Sequence, residues 1–304
     1  MKKNVSIIIP TKDRLESLKK VIHSYLSQEA VLEVIVVNDG STDGTTNYVK
    51  GLQKDYKNLR LIVNELNQGL PYTRNIGIKK SLGEYIFMGE DDAEISRGHI
   101  KKLIRHLKAN RAHIAAGRMI YLSLDETTEE GIIKANKINE ELIHKKTINI
   151  NFSKKIAKDV SVPISHSLML INKNVFNSCL YDEGYKINFW REETDFQLSA
   201  VSNGFKIIYC PHTNIYHHTT IQRGGCRSVN KLTYEYWVFK NNYYFVKKNS
   251  KILKRKFNID NIFSYFIRFT ASRLKVHFNG LLGKIRILFS KPGITFTKIS
   301  YKFR

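Results

Sequence analysis

The sequence predicts an α/β fold in which helices cover both faces of a mostly parallel sheet. Its first hundred residues alternate between short apolar runs and longer segments with apolar residues at helical spacing. The apolar runs are almost continuous, which is typical of strands buried on both faces. Polar clusters follow directly after several of these runs. Ligands bind outside the carboxyl ends of the strands in such sheets, so the clusters indicate a binding site there.

The first hundred residues supply four strands, each followed by a helix. The turn "NDGSTDGT" precedes a helix that begins near Thr45, and Ser96 is the expected N-cap of the fourth helix. The predicted strands are 5–9, 33–37, 59–63 and 84–88, and the other predicted helices are 13–28, 70–81 and 96–110.

The second half of the chain gives weaker signals. Residues 122–160 are polar and irregular, and we expect them to form an excursion over the site. A helix is predicted near 192–203, before the short strands "FKIIY" and "NIYHH". An aromatic-rich helix begins with "KLTYEYWVFK", and a basic amphipathic region follows it.

Positive charge is concentrated in the last fifth of the chain. The 304 residues carry a formal net charge of +23. This length is enough for one large domain plus an appendage or for two small domains, and the hydrophobic fraction of 42% is enough for a core. Residues 240–304 contain 16 Lys or Arg and one acid, Asp260, which is about two-thirds of the excess. Such a segment attracts polyanions, either nucleic acid or an anionic membrane surface.

Several signals favour a cytoplasmic location. The three cysteines, Cys179, Cys210 and Cys226, are widely spaced and match neither a metal-ligand nor a disulfide pattern. The apolar stretch after the basic N-terminus stops at Pro10 and is too short for a secretory signal. No stretch approaches the roughly 18 to 20 apolar residues of a membrane span.

Three adjacent carboxylates in "YIFMGEDDAEIS" raise the question of a metal site. The cluster 90–92 directly follows the apolar strand 84–88. Adjacent carboxylates repel one another unless water or a cation screens them, so a solvated turn and a metal site are both open. The polar clusters 11–14 and 38–41 follow other predicted strands, and the fold brings all three clusters to one edge of the sheet. This convergence favours a metal or nucleotide site.

Glycine-rich phosphate cradles are absent from the sequence. "PTKDR" follows the first strand in place of G-x-G-x-x-G, and no G-x-x-x-x-G-K-[ST] occurs. A diphosphate bound without such a cradle needs other neutralisation, for which a divalent cation is the usual solution.

Taken in order, the motifs resemble those of a known family. They are "SIIIPTKDR…L…S…Q…EVIVVNDGSTDGT", "NQGLPYTRNIGIKKSLGEYI", "GEDDAEI", "REETDF" and "YHH". Over about residues 4–250 the chain resembles the inverting family 2 glycosyltransferases. The resemblance implies a GT-A fold with a mostly parallel, Rossmann-like sheet. It also implies transfer of a sugar, in the manner of a hexosyltransferase, from a nucleotide-diphosphate donor to an acceptor hydroxyl, aided by Mn²⁺ or Mg²⁺.

The resemblance also implies a division of the chain. A catalytic domain would cover 1–228, with a nucleotide-sugar half at about 1–112 and an acceptor half at about 113–228. A basic amphipathic helical region that would associate with a membrane covers 229–304.

Donor-binding roles follow from the resemblance, residue by residue. Asp39 would accept a hydrogen bond from the base, although an Asx residue that caps a turn is the alternative. Arg74 would lie near the nucleotide, unless it is a solvated helix residue, and Asn75 would brace the loop. The implied donor-binding residues are Pro10, Thr11, Arg14, Asp39, Arg74, Glu90 and Asp91.

A metal site is implied by the D-x-D motif of the family. Asp92 matches the direct metal ligand, and His217 matches a histidine that approaches the metal or the diphosphate. Glu90 replaces the usual first Asp and is one methylene longer, so its contact could be the metal, the donor sugar or the ribose.

The catalytic base is implied by the segment "WREETDF". Glu193 takes the position of the base, which needs one carboxylate within hydrogen-bond reach of the acceptor hydroxyl. The alternative is an acid favoured by the helix dipole, which applies more easily to Glu192 or Asp195. Trp190 could stack on an acceptor sugar or pack in the core, and Arg227 would reach the phosphates.

The C-terminal region has the pattern of a helix in a membrane interface. Packing against the catalytic domain is the alternative. The apolar positions, three or four residues apart, are Ile259, Ile262, Phe263, Phe266, Thr270, Leu274, Phe278, Leu281, Ile285 and Leu288.

Two other functions remain as alternatives. A nucleic-acid-binding protein would use the basic tail, but the sequence has no recognisable nucleic-acid motif and the acids at the strand ends would be unexplained. A sugar-nucleotidyltransferase would need a glycine-rich basic signature where "PTKDR" stands. We therefore expect a metal-dependent glycosyltransferase with a UDP-, dTDP- or GDP-linked donor and a glycan or lipid-linked acceptor of the cell surface. The protein would lie at the inner face of the cell membrane, held by anionic lipid. We expect no nucleic-acid partner.

Overall fold

The computed structural model describes residues 3–218, Gly224 and 228–275. In this part of the chain nine strands form one sheet and two short strands form another. The strands are β1 (Val5–Thr11), β2 (Val31–Asp39), β3 (Leu59–Asn64), β4 (Tyr85–Met88), β5 (Ala93–Ile95), β6 (Ile114–Leu122), β7 (Ile143–His144), β8 (Asn149–Ile150), β9 (Val160–Ser161), β10 (Met169–Asn172) and β11 (Ile207–His218). The helices are α1 (Leu15–Leu26), α2 (Thr45–Leu52), α3 (Leu70–Lys80), α4 (His99–Ala109), α5 (Thr128–Asn136), α6 (Glu192–Ser202) and α7 (Lys231–Phe257).

The main sheet is mostly parallel, as predicted. Its order is β3-β2-β1-β4-β10-β6-β11-β5, and β9 pairs with β11. The first four strands pair in parallel, as do β6 and β11. β10 runs antiparallel between β4 and β6, and β5 and β9 run antiparallel to β11. Strands from both halves of the chain therefore share one sheet.

Helices cover both faces of this sheet. Successive residues of a strand point to opposite faces, so neighbouring side chains pack against different helices. Ile8 of β1 lies in a core cluster with side chains of α3, α6 and α7. Its neighbours Ile7 and Ile9 lie in a second cluster with side chains of α1 and α4. The prediction of strands buried on both faces is confirmed.

Two central strands, β6 and β10, have no clear strand signal in the sequence. β6 begins "IAAG", and alanine and glycine are poor strand formers. Gly117 of β6 allows α4 and β11 to approach β6 closely. A Cβ at this position would lie 2.6 Å from Cε1 of His99 on α4 and 3.0 Å from the carbonyl oxygen of Thr213 on β11. Tertiary packing, not local propensity, makes this segment a strand.

β11 is one long strand where two short ones were predicted. Its register with β6 shifts between Tyr209 and Asn214. Pro211 lies in this interval and has no N–H to donate to a neighbouring strand. We call residues 210–213 the β11 bulge.

The excursion 122–160 contains more regular structure than expected. Thr127 and Glu130 form a capping box at the start of α5, with Thr127 Oγ1 accepting from the Glu130 N–H and the Glu130 carboxylate accepting from the Thr127 N–H. The T-x-x-E pattern in "LDETTEEG" was the available signal.

Two helices begin later than predicted. Ser96 is not the N-cap of α4, which starts at His99, and the Ser96 hydroxyl instead lies 3.1 Å from that of Thr213. Helix α1 starts at Leu15, because Asp13 has a φ of 50° and its carboxylate accepts from the Thr42 N–H at 2.7 Å. In both cases a polar side chain serves a contact across the fold rather than a helix cap.

Within the described residues, the C-terminal helices pack against the rest of the fold. Residues 262–275 are helical after α7. Phe245 of α7 is buried, as are Tyr265 and Phe269. On the outside, Phe263 is 74% exposed and Leu274 is 63% exposed. The remaining positions of the predicted apolar stripe, Phe278, Leu281, Ile285 and Leu288, lie outside the described residues.

None of the described helices is both long enough and apolar enough to cross a membrane.

Candidate active site

A cleft of about 700 Å³ opens at the carboxyl ends of β1, β2 and β4. Most side chains expected at the site line this cleft. They are Pro10, Thr11, Arg14, Asp39, Arg74, Glu90, Asp91, Asp92, Trp190, Glu193 and His217. The expected residues Asn75, Glu192 and Asp195 do not line it, and Arg227 lies outside the described residues.

Arg14 connects the loop after β1 to the acidic cluster. Its guanidinium contacts Asp91 at 3.1 Å and Asp92 at 2.8 Å. Asp91 also accepts a hydrogen bond of 2.8 Å from the hydroxyl of Thr11. Burial raises the pKa of Asp91 to about 6, with Arg14 opposing that rise and the neighbouring carboxylates of Asp92 and Glu90 adding to it. Asp91 is therefore turned toward the protein, with its two oxygens held by Thr11 and Arg14.

Glu90, Asp92 and His217 converge on one point of the cleft. One ligand atom from each lies within 4.8 Å of the other two. The Nε2 atom of His217 is 3.5 Å from Asp92 and 3.8 Å from Glu90. This meeting depends on the pairing of β11 with β5, which places His217 opposite Ala93. Two carboxylates and one imidazole fit a divalent cation such as Mn²⁺, while the fit to Mg²⁺ rests on the carboxylates.

Glu90 is also held by neighbours that sequence reasoning missed. The Ser167 hydroxyl donates to its carboxylate, and Arg74 lies 3.7 Å from the same oxygen. The backbone N–H of Glu90 donates to the hydroxyl of Tyr25, which in turn donates to the Ala93 carbonyl at 2.6 Å. Burial raises the pKa of Tyr25, so this phenol stays protonated and keeps the acidic loop in place.

Asp39 shapes the wall where a nucleoside was expected. It is buried, and one of its oxygens accepts hydrogen bonds of 2.9 Å from the Asn64 side chain and the Gln68 N–H. The other oxygen accepts a hydrogen bond of 2.9 Å from the Gly69 N–H. The carboxylate thus fixes the loop before α3, and Gln68 and Gly69 of that loop line the cleft.

The first turn of α6 directs its acids to different places. Glu192 is buried and forms an ion pair with Arg74. Asp195 is buried away from the cleft, where it accepts from Lys248 at 2.7 Å and from Asn249 at 2.6 Å. Glu193 lines the cleft. Among the described residues, its carboxylate accepts no hydrogen bond from a side chain and forms no ion pair.

The segment before α6 has an unusual backbone. Ile187, Phe189 and Arg191 have φ values of 62°, 52° and 75°, which non-glycine residues seldom adopt. Such strain persists only where surrounding contacts hold it, and it concentrates at functional sites. Trp190 is presented between these residues, with the Arg273 guanidinium 5.4 Å from its ring centroid.

Asn75 has a bracing contact outside the cleft. Its side-chain amide donates to the Tyr181 carbonyl and to Glu183, both at 2.9 Å, and its oxygen accepts from the Tyr181 N–H. It therefore connects α3 to the loop that precedes α6.

Several cleft residues could not be found from the sequence. His166 makes a hydrogen bond of 2.7 Å to the Gly117 carbonyl, and burial lowers its pKa to about 4. The polar stretch "SHS" before β10 was a weak signal for His166 and Ser167. The missed lining residues also include Asn67, Met119, Tyr121, Phe152 and Lys186.

Comparison with known proteins gives a family match and several relatives. The sequence model described as Glycosyl transferase family 2 matches residues 6–175. The GalNAc(5)-diNAcBac-PP-undecaprenol beta-1,3-glucosyltransferase of Campylobacter jejuni is 32% identical over 118 residues. That alignment covers 38% of this chain and 38% of the relative, so this chain matches well under half of that protein.

Solved structures share the fold. S. aureus TarS in complex with UDP-GlcNAc superposes with a TM-score of 0.56 at 17% identity, over 76% of this chain and 62% of TarS. GalNAc-T7 with UDP, GalNAc and Mn²⁺ gives a TM-score of 0.59 at 16% identity, over 80% of this chain and 47% of that one. These structures are GT-A glycosyltransferases, so the expected GT-A fold is confirmed.

Proposed function

This chain belongs to glycosyl transferase family 2, and from that premise we propose that it transfers a sugar from a nucleoside-diphosphate donor to an acceptor hydroxyl, with inversion at the anomeric carbon. One observation carries the proposal. The cleft is lined both by the convergent group Glu90, Asp92 and His217 and by the carboxylate of Glu193, which has no hydrogen-bond or ion-pair partner among the described residues. A diphosphate and an acceptor hydroxyl need these two kinds of group.

Glu90, Asp92 and His217 are the residues that would hold a divalent cation, Mn²⁺ or Mg²⁺. When bound, such a cation neutralises charge on a diphosphate leaving group. Arg14 positions Asp92 through its 2.8 Å ion pair, and Ser167 and Arg74 position Glu90. The Mn²⁺ in the GalNAc-T7 structure supports this assignment by likeness of fold.

The nucleoside is proposed to lie between β1 and the loop before α3. Pro10 and Thr11 end β1 at the cleft, and Asp39 holds the Gln68–Gly69 loop on the opposite side. The UDP bound in TarS and in GalNAc-T7 supports a uridine nucleotide as the first donor to test.

Glu193 is proposed as the general base. Its carboxylate takes the proton of the acceptor hydroxyl while the oxygen attacks the anomeric carbon from the face opposite the diphosphate. The bond between carbon and phosphate oxygen breaks as the new glycosidic bond forms, which inverts the configuration. Glu192 and Asp195 are already engaged by Arg74 and by Lys248, so neither is available for this role.

The acceptor is proposed to be a lipid-linked or nascent cell-surface glycan at the cytoplasmic face of the membrane. The Campylobacter jejuni relative is named for a substrate linked to undecaprenol through a pyrophosphate. Exposed apolar side chains of the C-terminal helices, such as Phe263 and Leu274, and the excess of Lys and Arg after residue 240 support a place beside anionic lipid. Trp190 would contact the acceptor sugar.

A donor-hydrolysis screen tests the proposal. The full chain is incubated with UDP-, dTDP- and GDP-sugars, with Mn²⁺, with Mg²⁺ and with chelator. We expect one nucleotide class to release nucleoside diphosphate only when a cation is present. No release from any donor, together with no binding of UDP in calorimetry, would contradict a nucleotide-sugar site in the cleft.

A further inference from the structure

A second cluster of metal-binding side chains lies outside the cleft. His106 is in the last turn of α4, Asp159 directly precedes β9, and Cys210 opens the β11 bulge. One ligand atom from each of the three lies within 4.8 Å of the others. Cys210 is fully buried. The three residues are 51 and 53 positions apart in sequence, so no spacing motif announces them.

The Asp159 carboxylate has an unsatisfied oxygen. Its side chain is 9% exposed. Oδ2 accepts hydrogen bonds of 2.7 Å from the His106 Nδ1 atom and from the Asn110 amide. Oδ1 has no hydrogen-bond partner among the described residues. A buried carboxylate oxygen without a hydrogen-bond partner is costly, and a bound cation is one way to satisfy it.

His212 supplies a fourth donor beside this oxygen. Its Nε2 atom lies 3.7 Å from Asp159 Oδ1, and its ring stacks on His106 with centroids 4.8 Å apart. Cys210 and His212 therefore both approach Asp159 from the β11 bulge.

We propose that His106, Asp159, Cys210 and His212 form a binding site for Zn²⁺ or a similar transition-metal ion. Sulfur, imidazole nitrogen and carboxylate oxygen are the ligand types of Zn²⁺ sites, which take four ligands in a tetrahedron. Mg²⁺ and Ca²⁺ prefer oxygen alone. The Asp159 oxygen that lacks a partner would become a ligand, while Asn110 keeps its hydrogen bond to the other oxygen.

The second site is independent of the proposed transfer reaction. Cys210 and His217 are seven residues apart on β11, which at about 3.3 Å per residue separates the two clusters by roughly 20 Å. An ion here would fasten the end of α4, the segment before β9 and the β11 bulge to one another. Its role is therefore stabilisation of the sheet edge that carries His217, not chemistry on the sugar.

Cobalt substitution tests the site, because a thiolate ligand gives Co²⁺ an intense near-ultraviolet charge-transfer band. Untagged full-length protein is treated with chelator and titrated with Co²⁺. We expect the band at one equivalent, and its displacement by Zn²⁺. The cleft group of Glu90, Asp92 and His217 contains no sulfur and cannot give this band.

Matched variants identify the thiolate. Cys210→Ser should abolish the band, and Asp159→Asn should weaken Co²⁺ binding at least tenfold. Cys179→Ser and Cys226→Ser should keep it; among the described side chains the sulfur of Cys179 accepts hydrogen bonds from Ser199 and Asn203 and belongs to neither metal-binding group. Asp92→Ala should also keep the band, which separates this site from the cleft.

Thermal unfolding with and without Zn²⁺ gives a second measurement. Zn²⁺ should raise the Tm of the wild type and of Cys179→Ser by several degrees, and that of Cys210→Ser by clearly less, since only the cleft group of Glu90, Asp92 and His217 remains intact in that variant. Absence of the band in the wild type, its persistence in Cys210→Ser, or an equal Zn²⁺ effect on both variants would overturn the proposal.

Discussion

Glu192, Glu193 and Asp195 lie within four residues, yet the fold gives each a different environment. Glu192 pairs with the buried Arg74, and Asp195 pairs with Lys248 of α7. Only the Glu193 side chain lines the cleft. The proposed base, Glu193, therefore directly follows an acid, Glu192, whose carboxylate is used in a buried ion pair.

Glu193→Gln should bind the donor normally and transfer sugar at least ~100-fold more slowly, the usual scale for loss of a general base. The amide keeps the shape of the side chain but cannot take the acceptor proton. Calorimetry for donor affinity and initial transfer rates measure the two effects separately.

Glu192→Gln is the control for this prediction. It removes the charge of the buried partner of Arg74 and leaves Glu90, 3.7 Å away, as the other carboxylate, so it should lower the Tm more than Glu193→Gln does. If Glu192→Gln folds normally and loses transfer while Glu193→Gln keeps it, the base has been assigned to the wrong residue.

Asp92→Ala should remove the cation dependence of donor binding. Asp92 belongs to the group that converges with Glu90 and His217, whereas Asp91 is held by Thr11 and Arg14. Calorimetry of a donor nucleotide with and without Mn²⁺ is the measurement. Asp91→Asn is the matched control and should retain the difference between the two titrations. A variant Asp92→Ala that still gains affinity with Mn²⁺ would contradict the metal assignment.

At the scale of elements, α3 lies so close to the sheet at Gly77 that a residue with a side chain does not fit there without movement. A Cβ on Gly77 of α3 would lie 2.6 Å from the Ile8 side chain of β1 and 3.2 Å from that of Val37 on β2. Gly51 of α2 has no atom within 4 Å of the same position. The two glycines thus lie in helices but in opposite surroundings.

Gly77→Ala should destabilise the protein by about 1–3 kcal/mol, because α3 must move away from the sheet. Gly51→Ala should be neutral or stabilise it by up to about 1 kcal/mol, since alanine restricts the unfolded chain. Denaturant unfolding followed by circular dichroism measures both. Equal effects of the two substitutions would show that α3 does not approach the sheet as closely as described.

Helix α7 is fastened to α6 and to the preceding loop by one lysine. Lys248 donates to Asp195 at 2.7 Å and also pairs with Asp182. Burial raises the pKa of Asp182, but hydrogen bonds from Lys248, Gly184 and Tyr244 outweigh it, so the pKa lies below its ordinary value of 3.8. A carboxyl with a lowered folded-state pKa stabilises the fold above pH 3.8, and this contribution is lost as the pH falls through the folded-state pKa.

Lys248→Met should therefore cost about 1–2 kcal/mol at pH 7, because it leaves the buried Asp195 with fewer donors. The difference from the wild type should shrink as the pH falls below 3.8 and through the lowered folded-state pKa of Asp182. Urea unfolding of both proteins at pH 7 and at pH 3 measures this difference in the free energy of unfolding. Lys247→Met, at the neighbouring exposed position, should have little effect at either pH. A pH-independent loss in Lys248→Met would instead point to packing of the lysine stem.

At the scale of the whole molecule, the C-terminal region divides into a packed part and a part outside the described residues. Ile259, Tyr265 and Phe269 are buried, and the Tyr265 hydroxyl donates to Asn242 at 3.1 Å. Removing them would open the core cluster shared with α6 and α7. A cut that tests membrane binding must therefore lie beyond residue 275.

Deletion of residues 276–304 should keep donor hydrolysis, because the cleft residues all precede residue 230. The deleted segment carries six basic residues and no acids, namely Lys284, Arg286, Lys291, Lys298, Lys302 and Arg304. Its loss should therefore weaken co-sedimentation with anionic vesicles, and added salt should weaken that of the full chain. Deletion of 258–304 is the comparison and should lower the Tm strongly.

Two results would contradict the proposed membrane role. The first is equal sedimentation of the full chain with neutral and anionic vesicles. The second is a preference of the full chain for nucleic acid over anionic vesicles, which would favour the nucleic-acid-binding alternative.

The sequence by itself determined the parallel half of the fold, its family and eleven of the side chains that line the cleft. Apolar runs locate β1 to β4, and the polar clusters that follow β1, β2 and β4 lie at one edge of the sheet, as expected. These features succeed because they are local, since hydrophobic periodicity and turn residues act over a few positions.

Only the tertiary structure decided which side chains meet. β6 and β10 become central strands through their neighbours, and antiparallel β10 joins the two halves into one sheet. The meeting of Glu90 with His217 depends on the pairing of β11 with β5, and the meeting of His106 with Cys210 depends on the packing of α4 beside β11. Partners more than a hundred residues apart leave no periodic signal, because their contact is set by strand register and burial across the whole molecule.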